Sequence, residues 1–371
     1  MPDRPPLRSA PEEMDADWFT RALRSEGHDA LVRSVAYERI GTGQSADSYR
    51  FELTCSEERG HSDARGGAPG EAPPRRLIAK LPSADPTSRQ TGHVHGSYGR
   101  EIGFYREIRP SVRVPTPAPL YLDFDPEDSD FVLLLEDLAP ARQGDQLAGC
   151  SRAVAEVAMD AIAGLHAPRW GDETLREHAF LAGLEDEAPG RGAFFSMMWK
   201  GFLDRYRDRL DGDVRALGEA LCDRFERYSR PHPGPRCVVH GDYRLDNVLI
   251  DERGETPRLH VVDWQTAGLG CGTLDVAYFV GAGLLPELRR EHEEALVARY
   301  VGALAEGGVS DYGFEEAWRD YRWYSFAGLV MAIVASMLVV QTERGDEMFM
   351  IMAHRHGRHA LDLDAIGLLD E

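Results

Sequence analysis

Residues 238–250 read VVHGDYRLDNVLI, and thirteen positions past that stretch comes DWQ. This pair constrains the chain more than any other feature. The apolar run breaks at His-Gly-Asp, resumes after an Asn, and is followed by a second apolar run that ends in Asp. The pattern predicts strands at Val248–Ile250 and Leu259–Val262, joined by an eight-residue turn containing Asp251 and Gly254. A hairpin there brings Asn247, at the entrance of the first strand, close to Asp263, at the exit of the second. An amide carbonyl and a carboxylate are hard oxygen ligands of the kind Mg²⁺ takes. Asp242 sits five residues before Asn247, in the loop leading into the hairpin, and can face the same cleft without binding the metal. A metal-held phosphate beside a carboxylate free to accept a hydroxyl proton is the layout of phosphoryl transfer.

HGDYRLDN resembles the H-G-D-x-x-x-x-N catalytic loop of the aminoglycoside phosphotransferase and choline kinase superfamily, with DWQ in the place of the protein-kinase D-F-G. In detail the chain is most similar to the branch containing ecdysteroid-kinase-like and related bacterial small-molecule phosphotransferases. The resemblance runs over roughly residues 35–280. It implies an α+β, two-lobed protein-kinase-like fold: a small N-terminal lobe with an antiparallel sheet (1–135), a hinge (136–140) and a larger, mostly helical C-terminal lobe (141–371). It also implies ATP and Mg²⁺ as cofactors and a small-molecule hydroxyl acceptor.

Carried over by motif, Asp242 would orient and deprotonate the acceptor hydroxyl, while Asn247 and Asp263 would hold Mg²⁺. Lys80, in LIAKL, matches the strand lysine that contacts the α- and β-phosphates. Glu101, in YGREIGFY, matches the helix glutamate that fixes it, with Glu107 as a competing candidate. Glu136 and Leu138 fall at the hinge, whose backbone groups would take the adenine edge. Gly43, Gln44 and Ser45, within GTGQSA, would cover the phosphates, although that turn is shorter and less glycine-rich than G-x-G-x-x-G. Arg244 would either stabilise charge on the transferring phosphate or pair with a structural carboxylate. Asp275, in GTLDVAYF, and His240 are expected to buttress the catalytic loop. Gln265 replaces a flexible glycine, which argues against a protein-kinase-style switch.

The rest of the chain is compatible with this. Asp15–Ser25 has helical periodicity. Val35–Ile40, Ser48–Thr54, Leu77–Leu81, Tyr121–Phe124 and Phe131–Leu135 read as strands, and Tyr98–Ile108 as a helix. Ser56–Arg76 is polar and rich in Gly and Pro, as a mobile hairpin loop would be. His93 and His95 fall in a Gly-rich loop. Helical periodicity then dominates: Ser151–His166, Ala193–Leu210, Val214–Tyr228, Pro286–Glu306 and Phe314–Thr342. HRHGRH (354–359) reads as a solvated terminal segment. The aromatic stretch Trp318–Phe326 reads mainly as core.

A formal charge of −21 disfavours nucleic acid and anionic membrane surfaces as partners. The five cysteines are widely spaced without a CxxC pair, so neither a disulfide framework nor a zinc knuckle is indicated. The N-terminal residues lack an apolar signal segment, and a cytoplasmic location is expected. Phe326–Val340 is short for a membrane span. Arg outnumbers Lys 40 to two, so Lys80 stands out as a retained amine. Two other readings compete with a small-molecule kinase. One is a catalytically silent pseudokinase that binds nucleotide or ligand. The other is a metal-dependent hydrolase, which leaves Lys80 and Glu101 without a role. No A-P-E-type activation segment follows DWQ, which disfavours protein substrates. The acceptor and the oligomeric state are open.

Overall fold

Leu77, Ala79 and Leu81 alternate along one strand, and Phe51, Val132 and Leu134 fall on the same face of its neighbours; all six are buried. This period-two pattern builds a five-stranded antiparallel sheet among the described residues. Its order is β1–β2–β3–β5–β4, from β1 (Val32–Ile40), β2 (Ala46–Cys55), β3 (Arg76–Pro82), β4 (Pro119–Asp125) and β5 (Asp130–Glu136). The computed structural model describes residues 4–41, 46–56, 72–128, 130–181, 190–230 and 234–370. The expected phosphate-covering residues Gly43, Gln44 and Ser45 lie outside these, as does most of the expected hairpin loop.

Helix α1 (Ala16–Ser25) covers the apolar face of the sheet. Asp15 caps it by accepting the Trp18 N–H at 2.8 Å, satisfying one of the free donors of its first turn. Trp18, Phe19, Ala22 and Leu23 recur at helical spacing and are buried against Phe51, Leu77 and Tyr121. Each large side chain so buried contributes roughly 1.5–3 kcal/mol. The opposite face carries Lys80 and Phe131, and there α3 (Ser97–Gly103) packs Tyr98 against Phe131 at a ring separation of 4.7 Å. Between β3 and α3 lies α2 (Pro86–Val94), capped by Asp85. Its presence corrects the loop expected around His93 and His95. Gly92 allows it, since a Cβ there would fall 2.5 Å from the Tyr98 ring.

The chain divides into two compact units, Met1–Arg106 with Pro117–Ala139, and Glu107–Thr116 with Pro140–Glu371. Residues 107–116 therefore belong with the helical unit, where a single boundary at 135 does not put them. They are held there by backbone bonds from Arg113 N to Gly164 O and from Val261 N to Pro115 O, both 2.8 Å.

The second unit contains α4 (Arg152–His166), α5 (Arg191–Tyr206), α6 (Gly212–Tyr228), α7 (Thr273–Gly283), α8 (Pro286–Glu306), α9 (Phe314–Tyr324), α10 (Ala327–Leu338), α11 (Glu343–Asp362) and α12 (Ala365–Leu368). Two small sheets accompany them. The first pairs β7 (Cys237–Val239) with β10 (Gly268–Gly270); the second runs β6 (Arg142–Gln143), β8 (Val248–Asp251), β9 (Arg258–Val261). The single helix expected over Phe314–Thr342 is broken, because Ser325 turns back to bond Arg322 O and Phe326 plunges into the core. HRHGRH is not a solvated segment either. It lies in α11, with His356 and His359 fully buried and His354 bonded to Asp211 at 3.1 Å. Glycines admit the buried imidazoles. A Cβ at Gly281 would meet Nδ1 of both His356 and His359 within 2.6 Å, and one at Gly328 would overlap the His356 ring.

Candidate active site

In the first unit, Lys80 points from β3 towards α3, where Glu101 receives it. The Nζ lies 2.9 Å from Oε1 and 2.7 Å from Oε2 of Glu101, whose side chain is 1% exposed. Glu107 does not compete for this lysine; its Oε2 bonds His178 Nδ1 at 2.7 Å in the second unit. Glu136 closes β5, and its N–H already donates to Ala118 O at 2.9 Å. That N–H is thus committed within the first unit, and Leu138 is half-buried just beyond the strand.

In the second unit, the expected hairpin forms between β8 and β9, with Val248 opposite Val261. Val262 N–H donates to Asn247 O at 3.0 Å, which sets Asp263 beside Asn247 in space. Asp263 adopts φ 68° and ψ 72°, a left-handed conformation that costs any non-glycine residue but that Asp tolerates best. The segment after it is locked in place. Trp264 is fully buried and donates its indole N–H to Thr116 Oγ1, which in turn donates to Val261 O.

The loop 240–247 is held from three sides. His240 is a fixed hub: its Nδ1 accepts the Asp242 N–H at 3.3 Å, so its Nε2 carries the proton and donates to Val262 O at 3.0 Å. It is buried and committed to the loop, as expected of a fixing residue. Asp275, on α7, accepts the N–H of His240 at 2.6 Å and of Gly241 at 2.9 Å, and itself contacts His166 Nε2 at 3.2 Å. From the third side, Gln146 Oε1 accepts the Leu245 N–H, and Arg355 clamps the carbonyls of Gln146, Leu147 and Ala282.

Around Asp242 the donors are distributed unevenly. Oδ2 accepts from Asn247 Nδ2 at 2.8 Å and from Arg244 Nε at 3.1 Å; Oδ1 accepts from the Tyr278 hydroxyl at 2.8 Å. Because Asn247 spends Nδ2 on Asp242, its Oδ1 remains as a ligand-type oxygen. An amide oxygen here and the carboxylate of Asp263, which follows the residue bonded to Asn247 O, are hard donors of the kind that fit Mg²⁺. Arg244 is engaged by Asp242 and, through Nη1, by Asp246 at 3.0 Å. Burial by itself would push this guanidinium down, but Asp242 holds it above its ordinary value. The geometry is that of the second alternative for Arg244, a loop arginine paired to carboxylates. Sequence reasoning missed Tyr278 and Gln146. Neither belongs to the motif, and only the packing of α7 and of the 142–147 segment brings them to it.

A family model described as ecdysteroid kinase-like matches residues 48–309. No curated protein matches the chain in sequence. Among solved structures, a putative aminoglycoside phosphotransferase from Ralstonia eutropha JMP134 superposes with a TM-score of 0.52 at 15% identity, covering 92% of this chain and 98% of that one. The GDP and kanamycin complex of an aminoglycoside 2″-phosphotransferase gives 0.51 at 14% identity, covering 95% and 97%. Choline kinase from Cryptosporidium parvum Iowa II gives 0.53 at 10% identity, covering 91% and 90%. At these identities the likeness is one of fold, and that fold is the α+β, two-lobed kinase-like one.

Proposed function

The chain belongs to the ecdysteroid kinase-like family, and on that premise we propose that it transfers the γ-phosphoryl group of ATP to a hydroxyl of a small molecule. The observation that carries this reading is the gathering of Asp242, Asn247 and Asp263 by two bonds of Asn247, one to Asp242 Oδ2 and one from Val262 N–H. That assembly separates two jobs. Asn247 Oδ1 and Asp263 would hold Mg²⁺, which when bound neutralises charge on the nucleotide's terminal phosphates. Asp242, tied to protein donors, would accept a proton.

In the transfer, the acceptor's O–H bond breaks and its proton passes to Asp242. The acceptor oxygen forms a bond to the γ-phosphorus as the bond from that phosphorus to the bridging oxygen breaks, the electron pair leaving with ADP. Lys80, fixed by Glu101, would bind the α- and β-phosphates as a point charge. Arg244 keeps Asp242 oriented rather than reaching the phosphate.

A pseudokinase would not need the carboxylate of Asp242 to be held by three donors, and this favours the catalytic reading. The test is ADP formation from Mg–ATP over a panel of hydroxylated metabolites and antibiotics. Asp242→Asn should cut turnover by about 10³-fold or more while leaving nucleotide affinity nearly intact. Unchanged turnover in that variant, or no ADP formed with any acceptor, would overturn the proposal.

A further inference from the structure

We propose that Tyr278 is a positioning residue that fixes the direction of the one lone pair left open on Asp242 Oδ1, the atom receiving the acceptor's proton; this rests on Asp242 being the general base. Tyr278 and Asp275 lie one turn apart on α7 and present the same face to the catalytic loop. That one face grips three consecutive residues. Asp275 accepts the N–H groups of His240 and Gly241, and Tyr278 donates to Asp242 Oδ1 at 2.8 Å.

The hydroxyl is not incidental to packing. Tyr278 is 2% exposed, and a buried phenol needs a partner; the partner it has is this carboxylate. Behind it the ring is held at 5.4 Å from His356, itself inserted between Gly281 of α7 and Gly328 of α10. Burial, and then the Asp242 charge, push the phenol well above its ordinary value, so it remains a donor throughout the working pH range.

A carboxylate oxygen has two lone pairs. Both on Oδ2 are taken, by Asn247 and Arg244, whereas Oδ1 accepts a single bond from Tyr278 and keeps one lone pair. Asn247 and Arg244 thus leave Oδ1 as the open oxygen, and Tyr278 fixes where its remaining lone pair points. When the acceptor's O–H bond breaks, its proton goes to Oδ1 and the electron pair of that bond goes to the new bond between oxygen and phosphorus.

The experiment compares full-length wild type, Tyr278→Phe and Asp242→Asn in ADP formation from Mg–ATP. Water serves as acceptor, alongside the best acceptor of the panel, and kcat and the KM values are followed separately. Tyr278→Phe is expected to lower kcat about 10- to 100-fold with nucleotide KM unchanged. Incorporation of 3-fluorotyrosine at position 278 alters the strength of the donor with nearly the same packing, and should change kcat by about threefold or more, again with nucleotide KM unchanged. It also supplies the answer if the Phe variant does not fold. An unchanged kcat in the position-278 variants, with Asp242→Asn inactive, overturns the role of Tyr278 alone. Full activity in Asp242→Asn overturns the general-base reading and this proposal with it.

Discussion

Asn247 donates its side-chain amide to both the backbone oxygen and Oδ2 of Asp242, each at 2.8 Å. The bond spans the five residues that separate the two positions, and it makes one side chain serve two functions. The amide nitrogen orients the proposed base, and the amide oxygen is left over as a ligand-type oxygen. Replacing Asn247 by Asp keeps an oxygen ligand but sets a second negative charge against Asp242. The expected result is a fall in kcat of about 100-fold or more, because the donor that orients Asp242 is replaced by a like charge. Metal-dependent nucleotide binding should survive. Calorimetric titration with Mg–ATP beside turnover checks both halves.

The Lys80–Glu101 pair lends itself to a comparison of breaking the pair with neutralising both partners. Glu101 is 1% exposed and Lys80 12%, so removing one partner leaves the other charge buried. Lys80→Ala is expected to destabilise the first unit by about 3–5 kcal/mol, and Lys80→Met with Glu101→Gln by distinctly less. Thermal denaturation followed by circular dichroism separates the two. Both variants should lose nucleotide affinity if Lys80 binds phosphate.

Gly144 lies against the catalytic loop from the far side. A Cβ there would fall 2.5 Å from Leu245 O and 3.2 Å from Leu245 Cβ. The clash is with backbone, which cannot rotate away. Gly144→Ala should therefore displace the turn carrying Asn247, lowering turnover more than tenfold for a stability loss of only about 1–3 kcal/mol. Activity and denaturant midpoint measured on the same preparation test the disproportion.

Acid stability should be governed by the two imidazoles of α11. Burial, then the nearby Arg289 charge, push His356 down to about 3, and His359 is pushed well below its ordinary value by the same causes. Neither makes a hydrogen bond among the described residues. In the unfolded chain they bind protons near their ordinary value of 6.5, so the folded state binds fewer protons below that pH. Stability is complete above pH 6.5 and falls as pH drops towards 3, by on the order of 4 kcal/mol for His356. Glu293, whose carboxyl burial pushes up, works in the opposite sense and offsets part of the loss around pH 5. His356→Leu should lower the acid unfolding midpoint, as read by intrinsic fluorescence.

What was legible in the sequence follows the range of the interactions. Strand positions at 48–54 and 77–81 were readable from their alternation, and 131–135 because FVLLL is a short continuous apolar run that is buried on both faces. The hairpin carrying Asn247 and Asp263 was readable because both strands and their turn are local. Helix α11 was not, since ERGDEMFMIMAHRHGRHALD mixes glycines and histidines on what becomes its buried face. Those residues make sense only against α7 and α10, where Gly281 and Gly328 leave room for imidazole rings. The two-residue strand β6 and the break at Ser325 depend likewise on partners far away in the chain.

The sequence by itself determined the chemistry available: two carboxylates, an amide and a retained lysine, with the spacing that lets a loop and a hairpin present them. It also determined that Lys80 belongs to a strand and Glu101 to a helix further along the chain. Tertiary structure decided which oxygen of Asp242 stays open, that Arg244 binds carboxylates, and that Tyr278 reaches the loop at all. The physical reason is that a hydrogen bond is satisfied by direction and distance. The packing of α7 beneath residues 240–242 supplies both across more than thirty residues of chain, where no local pattern can encode them.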